Sequence, residues 1–157
     1  MINKWADGST YTGKMVANQR TGFGIYTWPD GSRYEGDMYA NMMQGKGSFF
    51  WTDGKRYEGD WFENCIHGEG RFLWPDGREY KGQFLRDQKH GFGFYKWISG
   101  RKYEGAWMNG KQHGRGRIVC PDGTVVEGEW QHGLRVHQNL KRNHDGDELL
   151  ERSVANY

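Results

Sequence analysis

The chain has 157 residues, of which 25 are Gly, 8 are Trp and 9 are Tyr, but only 35% are hydrophobic. This composition argues against a two-layer core of aliphatic side chains, and the Gly content argues against an all-helical fold. The formal net charge of +2 provides no global attraction to nucleic acid or to an anionic membrane.

The amino-terminal segment is polar and contains Lys4 and Asp7, so it does not resemble a signal peptide. The sequence has no apolar run of about 18 residues that could span a membrane, and it has no Asn-x-Ser/Thr glycosylation acceptor. These features predict a reducing, cytoplasmic setting in which Cys65 and Cys120 are free thiols.

A single unit of 23 residues recurs along most of the chain without insertion or deletion. Gly occupies four fixed positions of this unit, and aromatic residues occupy others. The copies are residues 1–10 (partial), 11–33, 34–56, 57–79, 80–102, 103–125 and 126–133 (partial). They predict a repeat domain over 1–133, followed by a C-terminal cap or tail over 134–157.

The spacing within each copy predicts a β-hairpin. In the third copy, apolar residues and Gly alternate with charged residues over 56–62 and again over 68–74, which is the period of a strand. The segment 63–67 is expected to join these two strands. Pro-Asp-Gly at 75–77 predicts a type I turn followed by a residue with positive φ. Stacked hairpins of this kind give one antiparallel sheet of about 11–12 strands.

The two faces of this predicted sheet differ in chemistry. Tyr, Trp and Gly share one parity, so we expect aromatic rings from neighbouring strands to lie over the bare backbone of the glycines. The residues expected to form these ladders are Tyr34, Tyr57, Tyr80, Tyr103, Trp28, Trp51, Trp74 and Trp97. The opposite face carries charged residues such as Arg56, Glu58 and Asp60, which predicts a solvated surface with weak ion pairs.

The unit Tyr-Glu-Gly-x-Trp, followed by His-Gly-x-Gly and Asp-Gly-x-x-Tyr, resembles the MORN (membrane occupation and recognition nexus) repeat over about 5–133. This resemblance implies an all-β, single-layer twisted meander of stacked hairpins. It also implies a role in scaffolding or protein interaction, as in ciliary, cytoskeletal, junctional and phosphoinositide-kinase-linked relatives. The chain departs from the pattern where Met15 and Met38 replace Trp, where Ser99 replaces the turn Asp, and where Ile118 and Cys120 replace aromatic residues.

These observations predict a non-catalytic scaffold or adaptor, and the resemblance implies that it belongs to a cytoskeletal or ciliary assembly. Its partner is expected to be an extended or helical protein segment on the aromatic face, and the open sheet ends are expected to allow a homodimer. The predicted protein-binding residues are Tyr34, Trp51, Tyr57, Trp61, Phe72, Trp74, Tyr80, Phe84, Tyr95, Trp97, Tyr103 and Trp107.

Two other functions are left open by the sequence. A membrane tether would contact anionic phospholipid through Lys111, Arg115, Arg117 and Arg135, although acidic residues interrupt this cluster. An accessory module would serve an enzyme in trans, because residues 134–157 are too short for a catalytic domain.

No metal or other cofactor is predicted. His67, His90 and His113 recur once per copy, which places them about 10 Å apart in a sheet, too far for a shared metal whose bonds are about 2.1 Å long. We expect hydrogen bonds at the hairpin edges instead. The Gly-x-Gly pairs lack the other residues of a phosphate-binding loop. We therefore expect neither enzymatic activity nor nucleic-acid binding.

The tail leaves the repeat pattern. It predicts a short helix near 147–155, capped by Asp145 or Asp147, with Leu149, Leu150 and Val154 facing the last hairpin. A frayed tail is the alternative.

Overall fold

The computed structural model describes the backbone of residues 2–142 and 148–156 and the side chains of residues 2–136. These residues form one sheet of 14 strands in which every strand pairs antiparallel with the next along the chain. No helix occurs in this part of the chain. The predicted all-β meander is therefore confirmed, with more strands than expected. The strands are β1 (Ile2–Lys4), β2 (Thr10–Val16), β3 (Gln19–Thr27), β4 (Arg33–Tyr39), β5 (Met42–Phe50), β6 (Arg56–Phe62), β7 (Cys65–Leu73), β8 (Glu79–Leu85), β9 (Gln88–Lys96), β10 (Lys102–Met108), β11 (Lys111–Val119), β12 (Val125–Gln131), β13 (Leu134–Arg142) and β14 (Glu148–Asn156).

The predicted helix near 147–155 is wrong, because this segment is strand β14. It pairs with β13 over nine residue pairs, from Leu134 with Asn156 to Arg142 with Glu148. An open sheet edge offers a row of unpaired N–H and C=O groups, whereas so short a helix is marginal in water. The expected caps at Asp145 and Asp147 lie outside the described residues. So do the side chains of Leu149, Leu150 and Val154.

The loop within each hairpin has only two residues, and not the five expected at 63–67. Strand β6 ends at Phe62 and β7 begins at Cys65. Glu63 and Asn64 both have positive φ, 47° and 67°, as a type I′ turn requires. Asn64 also joins this hairpin to the preceding one, because its Oδ1 accepts a hydrogen bond of 2.9 Å from the Met43 N–H.

The turn between hairpins has the predicted form. In the third copy the Gly77 N–H donates to the Trp74 carbonyl at 3.1 Å, and the Trp74 N–H donates to the Arg78 carbonyl at 3.0 Å. Gly77 has a φ of 98°, which favours glycine. Asp76 Oδ1 accepts a further hydrogen bond of 3.1 Å from the Arg78 N–H. The turn is thus held by its backbone and by the Asp side chain together.

A bulge interrupts the ladder of five hairpins, from β2–β3 to β10–β11. Gly59 pairs with Gly70 and Trp61 pairs with Ile66, so Asp60 lies opposite three residues of β7. Asp60 Oδ2 accepts a hydrogen bond of 2.9 Å from the Glu69 N–H inside this bulge. Desolvation raises the pKa of Asp60, but hydrogen bonds from Lys46 and from the Glu69 N–H lower it, and the net pKa is below its ordinary value. Asp60 therefore fixes the bulge as well as facing solvent.

The core of the sheet is a column of completely buried Tyr side chains. Tyr57 is 0% exposed, and a Cβ added at Gly59 or Gly70 would overlap its phenol group. Its hydroxyl donates a hydrogen bond of 2.8 Å to the Asp60 carbonyl. The ring thus covers one glycine of its own strand and one of the next strand. The sequence had predicted that each glycine would be covered only by a ring from a neighbouring strand. Burial raises the pKa of the Tyr57 phenol well above its ordinary value.

Candidate protein-interaction face

The aromatic residues form two rows on one face of the sheet, and these rows differ in exposure. The first, here called the core row, is buried. Its rings meet mostly edge to face. The ring centroids of Tyr57 and Trp61, for example, are 5.3 Å apart, and the angle between the two ring planes is 86°. In order of contact its members are Tyr34, Trp61, Tyr57, Phe84, Tyr80, Trp107, Tyr103 and Trp130. Such pairs add stabilisation of about 0.5–1.5 kcal/mol each beyond area burial.

The second row, here called the outer ladder, runs beside the turns that join the hairpins. Nine rings follow one another with centroid distances between 4.4 and 5.9 Å. Four of its Trp side chains are half-buried and Trp5 is exposed, so its surface is accessible. The rings, in order, are Trp5, Tyr26, Trp28, Phe49, Trp51, Phe72, Trp74, Tyr95 and Trp97.

The predicted protein-binding residues divide between these rows. Seven belong to the core row, where their neighbours cover them: Tyr34, Tyr57, Trp61, Tyr80, Phe84, Tyr103 and Trp107. Trp51, Phe72, Trp74 and Trp97 belong to the outer ladder and are half-buried, while Tyr95 is a buried member of it. Four further ladder rings were missing from the predicted binding residues, Trp5, Tyr26, Trp28 and Phe49, although Trp28 was expected in the aromatic ladders. Their places one or two repeats before the predicted Trp51 and Phe72 were the signal that could have revealed them.

Cations lie against the outer ladder at its turns. The Lys55 ammonium is 5.7 Å from the Trp51 ring centroid, and the Arg78 guanidinium is 5.0 Å from that of Trp74. Each also pairs with the turn Asp, since Lys55 Nζ is 3.2 Å from an Asp53 carboxylate oxygen. For Arg78 and Asp76 the distance is 2.8 Å. These two turns are thus electrically neutral.

Lys89 occupies a gap between the two rows. Its ammonium lies 5.4–5.7 Å from the ring centroids of Trp74, Tyr80, Tyr95 and Trp107. Burial among these rings, and the nearby Arg78 charge, lower the pKa of the Lys89 ammonium. Cation–π attraction favours the charged form and offsets part of this desolvation.

The repeat itself identifies the family. The model of the MORN repeat matches residues 11–33, 34–56, 57–77, 80–100, 103–125 and 127–136, which is most of the chain. The chain belongs to the MORN repeat family. A comparison with curated protein sequences finds no match.

Solved structures match the chain at low sequence identity. One is the TCP domain of SAS-4 (dCPAP) from Drosophila melanogaster, in complex with a proline-rich motif of Ana2 (dSTIL). Its TM-score is 0.51 at 11% identity, covering 96% of the MORN chain and 88% of the TCP chain. A catalytically inactive virginiamycin B lyase of Staphylococcus aureus with quinupristin has a TM-score of 0.22 at 13% identity, over 99% of the MORN chain and 51% of the lyase.

On the face opposite the two aromatic rows, two of the predicted lipid-contact residues, Arg115 and Arg117, lie among acids. Arg117 Nε is 2.7 Å from a Glu104 carboxylate oxygen, and Arg115 lies directly opposite Glu129 in the strand register. Arg135 lies on the other face, because it is directly opposite the buried Trp130 in the register of β12 and β13, so the predicted cluster of Lys111, Arg115, Arg117 and Arg135 is divided between the two faces of the sheet. The arrangement offers no continuous basic patch for anionic phospholipid.

The face opposite the outer ladder is less uniformly charged than predicted, because it carries a row of exposed apolar side chains. One member stands at the end of the first strand of each hairpin, next to the type I′ turn. The members are Val16, Tyr39, Phe62, Leu85 and Met108, exposed by 54%, 63%, 48%, 40% and 37%. We call this set the apolar row. Single exposed apolar residues are ordinary, whereas this row extends across five hairpins.

Two of the three recurring histidines form the expected hydrogen bonds at the hairpin edges, whereas Nδ1 of the third, His90, is buried and has no hydrogen-bond partner among the described residues. His67 Nδ1 accepts a hydrogen bond of 3.3 Å from the Arg86 N–H, and His113 Nδ1 accepts one of 3.3 Å from the His132 N–H. Within the described side chains, no three His, Cys, Asp or Glu residues converge as metal ligands. Cys65 and Cys120 are free thiols. The described segments include no helix long and apolar enough to cross a bilayer.

Proposed function

We propose that this MORN protein is a non-catalytic scaffold that binds an extended, proline-rich protein segment along its outer ladder. The observation that carries this proposal is the ladder itself, nine contiguous rings with an accessible surface. Aromatic-lined grooves are the usual binding sites for polyproline II segments. The MORN family is generally non-enzymatic, which agrees with a binding role.

The spacing of the ladder favours this conformation of the partner. One Trp recurs with each two-strand hairpin, which corresponds to a step of about 9.6 Å. A polyproline II helix repeats every three residues, or about 9.3 Å. A segment lying along the ladder would therefore present one side chain to each Trp in succession. Five Trp residues share this register: Trp5, Trp28, Trp51, Trp74 and Trp97.

The conformational cost of binding also favours a proline-rich partner. Proline-rich chains populate the polyproline II conformation before binding, so they lose less entropy than a flexible segment would. The TCP domain, whose fold is similar, is in complex with a proline-rich motif. This likeness supports the choice of partner class and does not identify the partner. The cytoskeletal or ciliary setting stays a prediction.

A titration with a designed peptide tests the proposal. The probe is a fluorescein-labelled peptide of five Leu-Pro-Pro units, and its affinity is measured by fluorescence anisotropy. Replacing Trp74 by Ala should weaken binding about tenfold, because an aromatic anchor of an interface contributes about 1.4 kcal/mol or more. The matched control is Phe62→Ala, which removes an exposed aromatic ring from the opposite face.

Circular dichroism of both variants would establish that the sheet remains folded. An absence of peptide binding would contradict the proline-rich proposal. Equal losses in the two variants would contradict the assignment of binding to the outer ladder.

A further inference from the structure

The fourth repeat lacks the acid that neutralises the other cationic turns of the outer ladder. Asp53 and Asp76 pair with Lys55 and Arg78, but the corresponding residue beside Arg101 is Ser99. Its hydroxyl oxygen accepts a hydrogen bond of 3.3 Å from the Arg101 N–H and supplies no charge. The Arg101 guanidinium lies 4.5 Å from the Trp97 ring centroid, and its buried Nε has no hydrogen-bond partner.

A second uncompensated cation lies beside the same end of the ladder. The Lys89 ammonium is 5.4 Å from the Tyr95 ring centroid, and the Tyr95 and Trp97 ring centroids are 5.1 Å apart. No carboxylate among the described side chains forms an ion pair with Lys89 or Arg101. Two positive charges therefore adjoin one pair of rings. We call this region the cationic end of the outer ladder.

The opposite end of the ladder has a different charge. Asp7 and Asp30 accept hydrogen bonds from Ser9 and Ser32, and neither turn contains a cation. Arg20 is the basic group there, 4.8 Å from the Tyr26 ring centroid. The two carboxylates exceed this single charge. Along its own rings, the outer ladder thus changes from net negative at its first turns, through neutral turns, to positive at Tyr95 and Trp97; the next turn, which contains Asp122 bonded to Thr124, lies beyond the last ring of the ladder.

We propose that the bound segment carries an Asp or Glu side chain at the end that lies over Tyr95 and Trp97, where it pairs with Arg101 and Lys89. This inference rests on the proposed function and gives the bound segment a direction. Polyproline II has no internal hydrogen bonds, and its side chains repeat every three residues. The match in spacing alone therefore holds for either direction of the segment, whereas the charge difference favours one.

The aromatic surroundings make this pairing more effective than an ordinary surface pair. Both cations lie against rings, and such partial exclusion of water lowers the local dielectric constant. A carboxylate placed there gains from two cations at once. We expect one acidic residue in the correct place to tighten binding about fivefold.

Three peptides test the inference. All contain five Leu-Pro-Pro units with acetylated and amidated ends, so that terminal charges are absent. One is neutral, one has Asp in place of the first Leu, and one has Asp in place of the last Leu. With the native protein, one of the two acidic peptides should bind about fivefold more tightly than the other.

The Ser99→Asp variant is the decisive change, because it restores the missing turn acid without altering a ring of the ladder. It should abolish the preference between the acidic peptides and leave the affinity for the neutral peptide unchanged. Asp76→Ser is the matched reverse substitution at the preceding turn, and it should leave the preference in place. Lys89→Met should reduce the preference as well, while thermal unfolding monitors the fold.

The possible failures are distinguishable. If all three peptides bind equally well and Ser99→Asp changes nothing, the inferred acidic residue and direction are wrong, while the proposed function stands. If the preference survives in Ser99→Asp, the cationic end is not its origin and the inference also fails. If no peptide binds, the proposed function and the inference fail together.

Discussion

At the scale of single residues, the stability of the sheet depends on a phenol group that packs against two glycines. In the third repeat, Tyr57 covers Gly59 and Gly70, which pair across neighbouring strands. A Cβ at Gly70 would overlap the phenol group. The φ angle of Gly70 is not positive, so its backbone conformation is open to other residues. The absence of a side chain at this position is therefore required by packing and not by backbone conformation.

A double-mutant cycle tests this relation between Tyr57 and Gly70. Gly70→Ala should lower the free energy of unfolding by about 1–3 kcal/mol, because overpacking displaces the ring. In a Tyr57→Leu background, which lacks the overlapping end of the ring, the same change should cost much less. Urea unfolding measures all four proteins. Equal costs in the two backgrounds would show that Gly70 is needed for another reason.

At the scale of the element, the hairpin combines features that the sequence predicts with one that it does not. The Pro-Asp-Gly turn was predictable because each residue has a local reason to occupy its position. The bulge was not, because it depends on how Asp60 opposes three residues of the neighbouring strand. The bulge adds two residues to β7 relative to β6, and two additional residues leave the alternation between the two faces unchanged. The alternation of residues therefore predicted the correct face for each side chain but the wrong length for the loop at 63–67.

The division of the aromatic face into two rows was also beyond the sequence. Parity places Tyr57 and Trp74 on the same face, but only the strand register shows that Tyr57 is covered and that Trp74 remains half-buried. The aromatic residues of this face consequently could be assigned to it as a group, but their individual exposure could not be predicted. The β-structure of the tail depends in the same way on pairing with a neighbouring strand.

The turns between hairpins should make the protein's stability sensitive to acid. Hydrogen bonds from the residue two positions later lower the pKa of the turn carboxylates, as those from the Ser32 hydroxyl and N–H do for Asp30. A lowered native pKa contributes stability that is present above the ordinary Asp pKa, near 3.9. This contribution is lost as the pH falls through the native value. The five turns concerned contain Asp7, Asp30, Asp53, Asp76 and Asp122.

Asp30→Asn tests this dependence, because the amide retains an acceptor oxygen but cannot titrate. The urea midpoint of the native protein should fall on acidification below about pH 4, and that of the variant should fall less. Glu63→Gln is the control, since this exposed loop carboxylate hydrogen-bonds to none of the described residues. Identical pH profiles for Asp30→Asn and the native protein would contradict this account of the turns.

At the scale of the whole molecule, the repeat gives two accessible rows of side chains the same period. The outer ladder lies on one face, and the apolar row of Val16, Tyr39, Phe62, Leu85 and Met108 lies on the other. Both advance by one hairpin, about 9.6 Å. A heptad of an α-helix advances about 10.5 Å, so its contacts would drift out of register over five hairpins. A second copy of this chain has the same period by construction.

This match of periods favours self-association through the apolar row. In an antiparallel pair with twofold symmetry, Phe62 is the middle residue of the row and would meet its own copy on the axis. Phe62→Lys should therefore weaken the dimer strongly, because it places two like charges together at the centre. Sedimentation over a range of protein concentrations would measure the monomer–dimer equilibrium of both proteins.

Phe23→Lys is a matched control, because Phe23 is an exposed aromatic residue, 65% accessible, that lies outside the apolar row. It should leave the dimer unchanged. A dimer that persists in Phe62→Lys would instead favour association through the sheet ends, where β1 has β2 as its single neighbour. A native protein that stays monomeric at all concentrations would contradict both modes. In either dimer the outer ladder, on the opposite face, would remain accessible, so self-association and peptide binding should be independent of each other.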